Sequence, residues 1–351
     1  MFLSLKTKKE KEVYKESLSL LGKQITDTIA KGAWTNAAGL KRPITNIVVN
    51  GMGGSNLGAR IIISLLAKEL KIPVCIDPGY DVAGYVGKNT AYIVSSYSGT
   101  TEEPLVAYTK AKQRGALVIA LTTIGENTLS TKALKDKTPL FQFPISANPS
   151  NQPRLGLGAA MSALAIVLVA LNALPKNIIK ELSNSAKKLA KNSKILSSSK
   201  NPARALAKKI KGKELIIISG PLFSGNAHAL RNQFNESAKQ HSLYLTVSDM
   251  NHHALEGLSF PKSNRKRLTT LFIDSSLDDK KIQKRMDISK ELFKKNRIKV
   301  YGHKLSSKTK IEQGLELLQF GSYLSYYVSI FNHVDPMSIP WVDWFKKKLS
   351  T

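Results

Sequence analysis

Short runs of apolar, mostly β-branched residues alternate along the chain with longer amphipathic or small-residue stretches. In the first half these runs are short enough to be buried strands, and they lie at Ile47–Val49, Pro73–Ile76, Tyr92–Ser95, Leu117–Leu121 and Leu140–Phe143. Strands that alternate with helices in this way predict a doubly wound parallel sheet. The charged residues 6–16 predict an exposed helix ahead of the first strand.

The second half repeats the pattern. Its apolar runs predict strands at Leu215–Ser219, Leu243–Val247, Leu268–Ile273 and Ile298–Tyr301, separated by helices. Both halves open with a strand, a glycine-containing loop and a helix, which predicts two related α/β domains. The expected limits are a first domain at 1–150, a helical connection at 151–212, a second domain at 213–333 and a C-terminal helix at 334–351.

Composition narrows the class of protein. The chain has 351 residues, 42% of them hydrophobic, which is enough for the cores of two domains. A single cysteine, Cys75, excludes a disulfide framework and a cysteine-based zinc site. The first residues lack the apolar core of a secretory signal, so we expect a cytoplasmic protein. The apolar run Leu155–Leu174 could be a membrane helix, but its Gly, Ala and Ser content favours a helix buried in a globular domain.

The net charge of +28 makes nucleic acid the first partner to consider. However, only ten of the 53 basic residues are arginine, the main side chain that reads base edges. The lysines are spread over predicted helix faces, and the sequence has neither a Cys/His finger nor an RNA-binding aromatic motif. A lysine-rich solvated surface is the favoured interpretation, and a nucleic-acid-associated protein stays the weaker alternative.

Two loops in the first half follow neighbouring predicted strands and carry hydroxyl groups. Residues 51–55 are Gly-Met-Gly-Gly-Ser, and residues 96–101 are Ser-Tyr-Ser-Gly-Thr-Thr. At the carboxyl ends of parallel strands, helix N-termini offer unpaired N–H groups that bind anions. Neither loop is a Walker motif, and the first lacks the third glycine of a dinucleotide fingerprint. Each alone could be a capped tight turn, but the pair predicts a site for a phosphate monoester that does not itself react.

These loops resemble the phosphate loops of sugar isomerase (SIS) domains, and the second half extends the resemblance. Residues 235–239 are Asn-Glu-Ser-Ala-Lys, and His252 follows Glu236 after sixteen residues. Gln-Pro-Arg at 152–154 and Asp-Pro at 335–336 fit the same pattern. In this order the motifs resemble the bifunctional phosphoglucose/phosphomannose isomerase family from about residue 40 to 349. The fold implied is α/β, with two SIS-type doubly wound parallel-sheet domains and a C-terminal helical segment.

The resemblance also implies roles. The residues that would hold the sugar phosphate are Gly54, Ser55, Ser96, Ser98 and Thr101. The base, the ring-opening histidine, an assisting lysine and the arginine beside the reacting carbons would be Glu236, His252, Lys346 and Arg154. Among the C-terminal lysines, Lys346 has the best register.

Aldose–ketose isomerisation suits these residue types. A base must move a proton between C2 and C1 through a cis-enediol, and a partly desolvated carboxylate can do so. An arginine stabilises the enediolate without losing its own proton, and a histidine titrates in the range needed for ring opening. The reaction needs no cofactor and no metal, and the His252-His253 pair lacks acidic or cysteine partners at ligand spacing. Taken singly, Glu236 or Arg154 would be an ordinary surface or structural residue, so the joint pattern carries the assignment.

The sequence departs from the family's pattern at three places. Thr100 stands where the phosphate loop usually has Asn, which changes one small polar residue for another. His253-Ala254 replaces the usual Asn-Glu after the histidine, so the groups that support its ring can differ. Met337-Ser338 replaces a threonine after Asp335-Pro336, which bears on the acceptance of mannose 6-phosphate.

The expected activity is interconversion of glucose 6-phosphate and fructose 6-phosphate, with mannose 6-phosphate as a further substrate. The resemblance implies a homodimer in which His252 reaches the partner's site, with no membrane and no specific nucleic acid. An aromatic C-terminal segment could form the dimer surface or pack on its own domain; it contains Tyr323, Tyr326, Tyr327, Phe331, Trp341 and Trp344. The alternative from another class is a non-catalytic sugar-phosphate sensor, which would keep the hydroxyl loops and lose Glu236 and His252.

Overall fold

The structure, a computed structural model, describes residues 8–349. The chain divides into two compact units. The described residues of the first unit are 20–190 and 310–315, and those of the second unit are 8–19, 191–309 and 316–349. Two helices, α7 (Asn177–Ser197) and α13 (Lys310–Phe331), contribute residues to both units. The domain limits expected from the sequence stay a prediction.

The first unit contains a six-stranded sheet with helices packed against it. Its other elements are α2 (Leu21–Lys31), β1 (Ala33–Thr35), β2 (Asn46–Asn50), α3 (Gly54–Leu65), β3 (Val74–Ile76), β4 (Thr90–Ser96), α4 (Glu102–Gln113), β5 (Leu117–Thr123), α5 (Thr128–Lys135), β6 (Leu140–Phe143) and α6 (Leu157–Ala170). The strand order is β1-β6-β5-β4-β2-β3. All neighbours are parallel except β1, which runs antiparallel to β6. The five predicted strands are confirmed, and β1 is an edge strand that the apolar pattern did not reveal.

The apolar stretch within 155–174 forms α6, which is buried along most of its length. It packs closely on α2 and α3 because small residues face each other. A side chain at Gly58 would come within 2.9 Å of Ala160, and one at Gly158 within 2.7 Å of the Leu21 carbonyl oxygen. The prediction of a buried helix is confirmed. Across residues 8–349, no helix is both long enough and apolar enough to cross a membrane.

The second unit contains a four-stranded, fully parallel sheet. Its other elements are α1 (Lys8–Ser19), α8 (Pro202–Ile210), β7 (Glu214–Ser219), α9 (Ser224–Glu236), β8 (Ser242–Thr246), α10 (Met250–His253), α11 (Asn264–Arg267), β9 (Leu268–Asp274), α12 (Lys280–Lys295), β10 (Lys299–Lys304) and α14 (Pro340–Leu349). The strand order β10-β9-β7-β8 repeats the order β5-β4-β2-β3 of the first sheet. The prediction of an α/β fold with two related parallel-sheet units is therefore confirmed.

The N-terminal helix differs from its expected exposure. Residues 6 and 7 lie outside the described residues, and α1 runs on to Ser19. Within it Tyr14 and Leu18 are buried, so the expectation of an exposed helix is wrong. The Tyr14 ring stacks on Tyr326 with 5.6 Å between centroids, and its hydroxyl donates to Ser237 Oγ at 2.7 Å. This helix is thus a packed part of the second unit.

The aromatic C-terminal segment divides into a buried and an exposed part. Of the aromatic side chains in this segment, those of Tyr323, Tyr326 and Tyr327 are buried within the second unit. Phe331 is half-buried, whereas Trp341 and Trp344 are largely exposed on α14. Of the two expectations for this segment, packing on its own unit is therefore right for the tyrosines. Within this segment, the large aromatic side chains that are exposed to solvent lie on α14.

Candidate functional site

The loops 51–55 and 96–101 meet at the carboxyl edge of the first sheet. They follow β2 and β4, which are neighbouring parallel strands, and β3 lies on the opposite side of β2. This reversal of strand order is the place where open α/β sheets bind ligands. The Tyr97 N–H donates to Ser55 Oγ at 2.9 Å, and Ser95 Oγ donates to the Ser55 carbonyl oxygen at 3.1 Å. The two loops therefore form one connected cradle.

Hydrogen bonds within the second loop hold its hydroxyl groups in place. Ser96 Oγ donates to Thr101 Oγ1 at 3.2 Å and accepts the Gly99 N–H at 3.1 Å. Ser98 Oγ accepts from Thr100 Oγ1 at 3.1 Å. Gly99 has φ of 68°, and a side chain there would overlap Asn127, so glycine is required. Because Ser98 is exposed and Thr101 is half-buried, hydroxyl groups of this loop remain open to a ligand.

Arg154 lies against the first loop. A side chain at Gly54 would come within 2.9 Å of the Pro153 Cβ and 3.1 Å of the Arg154 backbone nitrogen, so α3 can begin here only with glycine. The Arg154 side chain is 2% exposed, and its Nη1 donates to Gln152 Oε1 at 2.7 Å. A guanidinium keeps its positive charge even when it is buried. The structure thus brings Arg154 together with all five predicted phosphate residues in one unit.

Tyr97 is a residue of this region to which the sequence assigned no role. Its hydroxyl accepts from Asn148 Nδ2 at 2.9 Å, and burial raises its pKa above the usual value. A side chain at Gly156 would come within 2.6 Å of the Tyr97 ring. Tyr97 therefore fixes the second loop to the segment 148–156 that carries Arg154. The signal in the sequence was a lone aromatic residue among hydroxyl residues.

Glu236 is the last residue of α9 in the second unit and is half-buried. Lys239 ties this helix end to a distant turn. Its Nζ donates to the carbonyl oxygens of Glu236 at 2.7 Å, of Asp335 at 2.6 Å and of Ser338 at 2.6 Å. Asp335 is itself buried, and its carboxylate accepts the N–H groups of Met337 and Ser338 at 2.9 and 3.3 Å. The Asp-Pro motif and the predicted base are thereby joined through one ammonium group.

Lys239 is the second residue that sequence reasoning missed. It closes the motif 235–239, but nothing local to that motif shows that residues 335–338 return to it. Its φ of 49° is unusual for a residue with a side chain, and the three charged hydrogen bonds offset that conformation.

His252 and Lys346 lie on two separate exposed helices of the second unit. His252 is in α10, where the neighbouring Asn251 Nδ2 donates to Ser289 Oγ at 2.9 Å. The next residue, His253, has its Nε2 3.3 Å from Asp249 Oδ2. Lys346 is exposed on α14. The structure joins the Glu236 backbone to the 335–338 turn. The catalytic roles assigned to Glu236, His252 and Lys346 all stay predictions.

Comparison with known proteins decides the family. Residues 199–349 match the family described as the bacterial phospho-glucose isomerase C-terminal SIS domain. A bifunctional phosphoglucose/phosphomannose isomerase of Caldicellulosiruptor bescii is 30% identical over 318 residues, which cover 88% of this chain and 90% of that protein. The chain belongs to the bifunctional phosphoglucose/phosphomannose isomerase family. A relative of the same description from Thermoplasma acidophilum is 28% identical over 87% of this chain and 90% of its own. Another, from Aquifex aeolicus, is 25% identical over 90% of this chain and 94% of its own.

Solved structures of more distant proteins share the fold. Tagatose-6-phosphate ketose/aldose isomerase of Escherichia coli has a TM-score of 0.70 at 15% identity, covering 93% of each chain. The hypothetical protein TT0462 of Thermus thermophilus has a TM-score of 0.73 at 12% identity, covering 96% of this chain and 91% of its own. These similarities establish the SIS-type α/β fold, and the resemblance inferred from the motifs is confirmed.

Proposed function

We propose that this protein interconverts glucose 6-phosphate and fructose 6-phosphate, and likewise mannose 6-phosphate and fructose 6-phosphate. Membership of the isomerase family supports both activities. The observation that carries the proposal is the hydroxyl cradle at the carboxyl edge of the first sheet, with buried Arg154 beside it. Its neutral hydroxyl donors suit a phosphate group that is bound but not transferred, and the fixed positive charge of Arg154 suits an anion that develops on the sugar beside it.

In this mechanism the phosphate is an anchor. Binding energy from Ser55, Ser96, Ser98 and Thr101 positions the sugar, so that the reacting carbons meet the catalytic groups without further loss of orientational freedom. Glu236 takes the proton from C2 of the open-chain aldose and returns it to C1. Arg154 stabilises the negative charge that develops on the enediolate oxygens.

The remaining steps use the other predicted residues. His252 exchanges a proton with the ring oxygen during opening of the pyranose, and Lys346 assists from the terminal helix. We include in the proposal a homodimer with a shared site, because α14 exposes Trp341 and Trp344. A cytoplasmic location and a reaction without metal or cofactor belong to the same proposal.

The test is a coupled assay on purified protein in the presence of EDTA. Fructose 6-phosphate is supplied, and the glucose 6-phosphate formed is detected through a dehydrogenase that reduces NADP. In a second assay mannose 6-phosphate is supplied, and its conversion to fructose 6-phosphate is measured. We expect turnover of both sugars by one preparation. A folded protein that binds fructose 6-phosphate but turns over neither sugar would instead favour the sensor hypothesis.

A further inference from the structure

The two sheets carry equivalent crevices. In the first, β3 and β4 flank β2; in the second, β8 and β9 flank β7 in the same order. The loop after each central strand begins with a glycine, Gly51 or Gly220. The loops after β4 and β9 have the same length, because in each unit the N-cap of the following helix lies five positions after the last residue of the strand. Position 278 of the second unit therefore corresponds to position 100 of the first.

The chemistry of the two loops is opposite. At three corresponding positions a hydroxyl of the first loop is replaced by a carboxyl of the second: Ser96 by Asp274, Thr100 by Asp278 and Thr101 by Asp279. Two of these carboxyls are satisfied. Asp274 Oδ1 accepts from Lys290 at 2.6 Å, and Asp279 Oδ1 accepts the Lys281 N–H at 2.8 Å as the cap of α12.

Asp278 differs from its two neighbours. It is 7% exposed, and its Oδ2 is buried and without a hydrogen-bond partner among the described residues. The carboxyl lies directly against the glycine that opens the other loop, since a Cβ at Gly220 would come within 2.6 Å of Oδ2. The Ser219 hydroxyl at the end of β7 is likewise buried and unpartnered within the described residues. The second crevice therefore holds a carboxyl group between its two loops.

The negative charge of the Asp278 carboxylate makes binding of an oxyanion in this crevice unfavourable. Burial, and then the neighbouring Asp274, raise the pKa of Asp278 to about 6, so at neutral pH the group is mostly ionised. A phosphate entering the crevice would meet a negative charge in a space that the carboxyl already fills. No side chain of residues 8–349 donates to Asp278 Oδ2 to offset that charge. The corresponding position in the first unit is the uncharged Thr100.

We propose that Asp278 closes the crevice of the second unit to phosphate, so that each chain binds one hexose phosphate, in the first unit. The proposal rests on the proposed function only in naming the ligand of the first crevice. It gives a role to a carboxyl whose Oδ2 is buried with no hydrogen-bond partner among the described residues, which is otherwise unfavourable. The duplicated sheet would then supply catalytic side chains rather than a second anion site.

Selenate provides a direct test, since its anomalous scattering locates oxyanions in crystals without any need for turnover. In wild-type crystals soaked at about pH 7.5, we expect selenate in the crevice formed by residues 51–55 and 96–101 and none between residues 220–225 and 275–279. Asp278→Thr should gain the second position, while Asp343→Thr, which removes an exposed carboxylate from α14, should not. Selenate in the second crevice of the wild type, or no gain in a well-ordered Asp278→Thr crystal, would overturn the proposal.

A reciprocal pair of variants keeps the idea testable if Asp278→Thr does not fold. Thr100→Asp places the carboxyl in the first crevice, and Thr100→Asn adds a neutral group of the same shape. Calorimetric titration with inorganic phosphate should show at least about tenfold weaker binding for Thr100→Asp than for Thr100→Asn, because like charges approach in the former. Equal affinities would contradict the proposal. An inactive protein that binds selenate in the first crevice alone would refute the isomerase activity and leave this inference standing.

Discussion

Replacing Asp278 by asparagine removes a buried ionisable group and keeps the shape of the side chain. The pKa of this carboxyl is raised from 3.8 to about 6, first by burial and second by Asp274. Since one pKa unit corresponds to about 1.4 kcal/mol, ionising Asp278 costs about 3 kcal/mol more in the folded protein than in the unfolded chain. The group is nearly inaccessible to solvent, so solvent screening does little to reduce this cost.

The sign of the effect follows from which state holds the proton. Between about pH 4 and pH 6 the folded protein keeps the Asp278 proton that the unfolded chain has lost. The free energy of unfolding of the wild type therefore decreases as the pH rises through this interval, and the full cost is present above it. Asp278→Asn lacks this contribution. Relative to the wild type, its free energy of unfolding should rise by about 2.5 kcal/mol from pH 4 to pH 7.

Urea unfolding of both proteins across this pH interval measures the difference. Burial lowers the pKa of His303 to about 4, so this residue also titrates near the interval. It does so in both proteins, and its contribution cancels when one stability curve is subtracted from the other. Asp343→Asn, on exposed α14, controls for the loss of an aspartate as such. A difference between Asp278→Asn and wild type that stays flat within about 0.5 kcal/mol across the interval would refute the burial argument.

Three further predictions concern catalysis and the cradle. Glu236→Gln should abolish turnover while substrate affinity by calorimetry stays within about tenfold, and near-normal kcat would remove Glu236 from the role of base. Lys239→Met breaks three hydrogen bonds to carbonyl oxygens, so the free energy of unfolding in urea should fall by about 2–4 kcal/mol. We also expect kcat to fall by a larger factor than KM rises, with partial rescue in Lys239→Arg. Unchanged stability and kcat would contradict the role of Lys239 as a positioning residue. Gly54→Ala places a methyl group against Pro153 and should raise KM for fructose 6-phosphate. The control is Gly84→Ala, where a side chain meets open space. Equal KM values for the two variants would show that the start of α3 accommodates the methyl group.

The sequence predicted most of the strands and the cradle because both depend on local patterns. Period and length of the apolar runs identify buried strands, and a hydroxyl-rich loop after a strand identifies an anion site. The strand β1 was missed, since three residues of mixed polarity carry no periodic signal. It exists as a strand because its backbone pairs with β6.

Features that depend on distant parts of the chain could not be predicted. Lys239 is an ordinary lysine until residues 335–338 arrive beside it, and Tyr14 is an exposed-looking aromatic residue until it stacks on Tyr326. Asp278 looks like a solvated loop acid, because burial of a single carboxyl leaves no mark on composition. In each case the deciding information is a tertiary contact rather than a neighbour in sequence.

The exchange of short segments between the two units constrains how the protein can be synthesised. The first unit is completed by residues 310–315, where Lys310 pairs with Glu69, Glu312 pairs with Lys188, and Gly314 fits against Leu65. Since these residues are synthesised after all of residues 20–190, the packing of the first sheet is complete only when they have been made. The second unit, conversely, needs α1, which is made before residues 20–190 of the first unit. Neither unit corresponds to a continuous stretch of the gene, so a fragment cut at a single boundary would lack part of its own core.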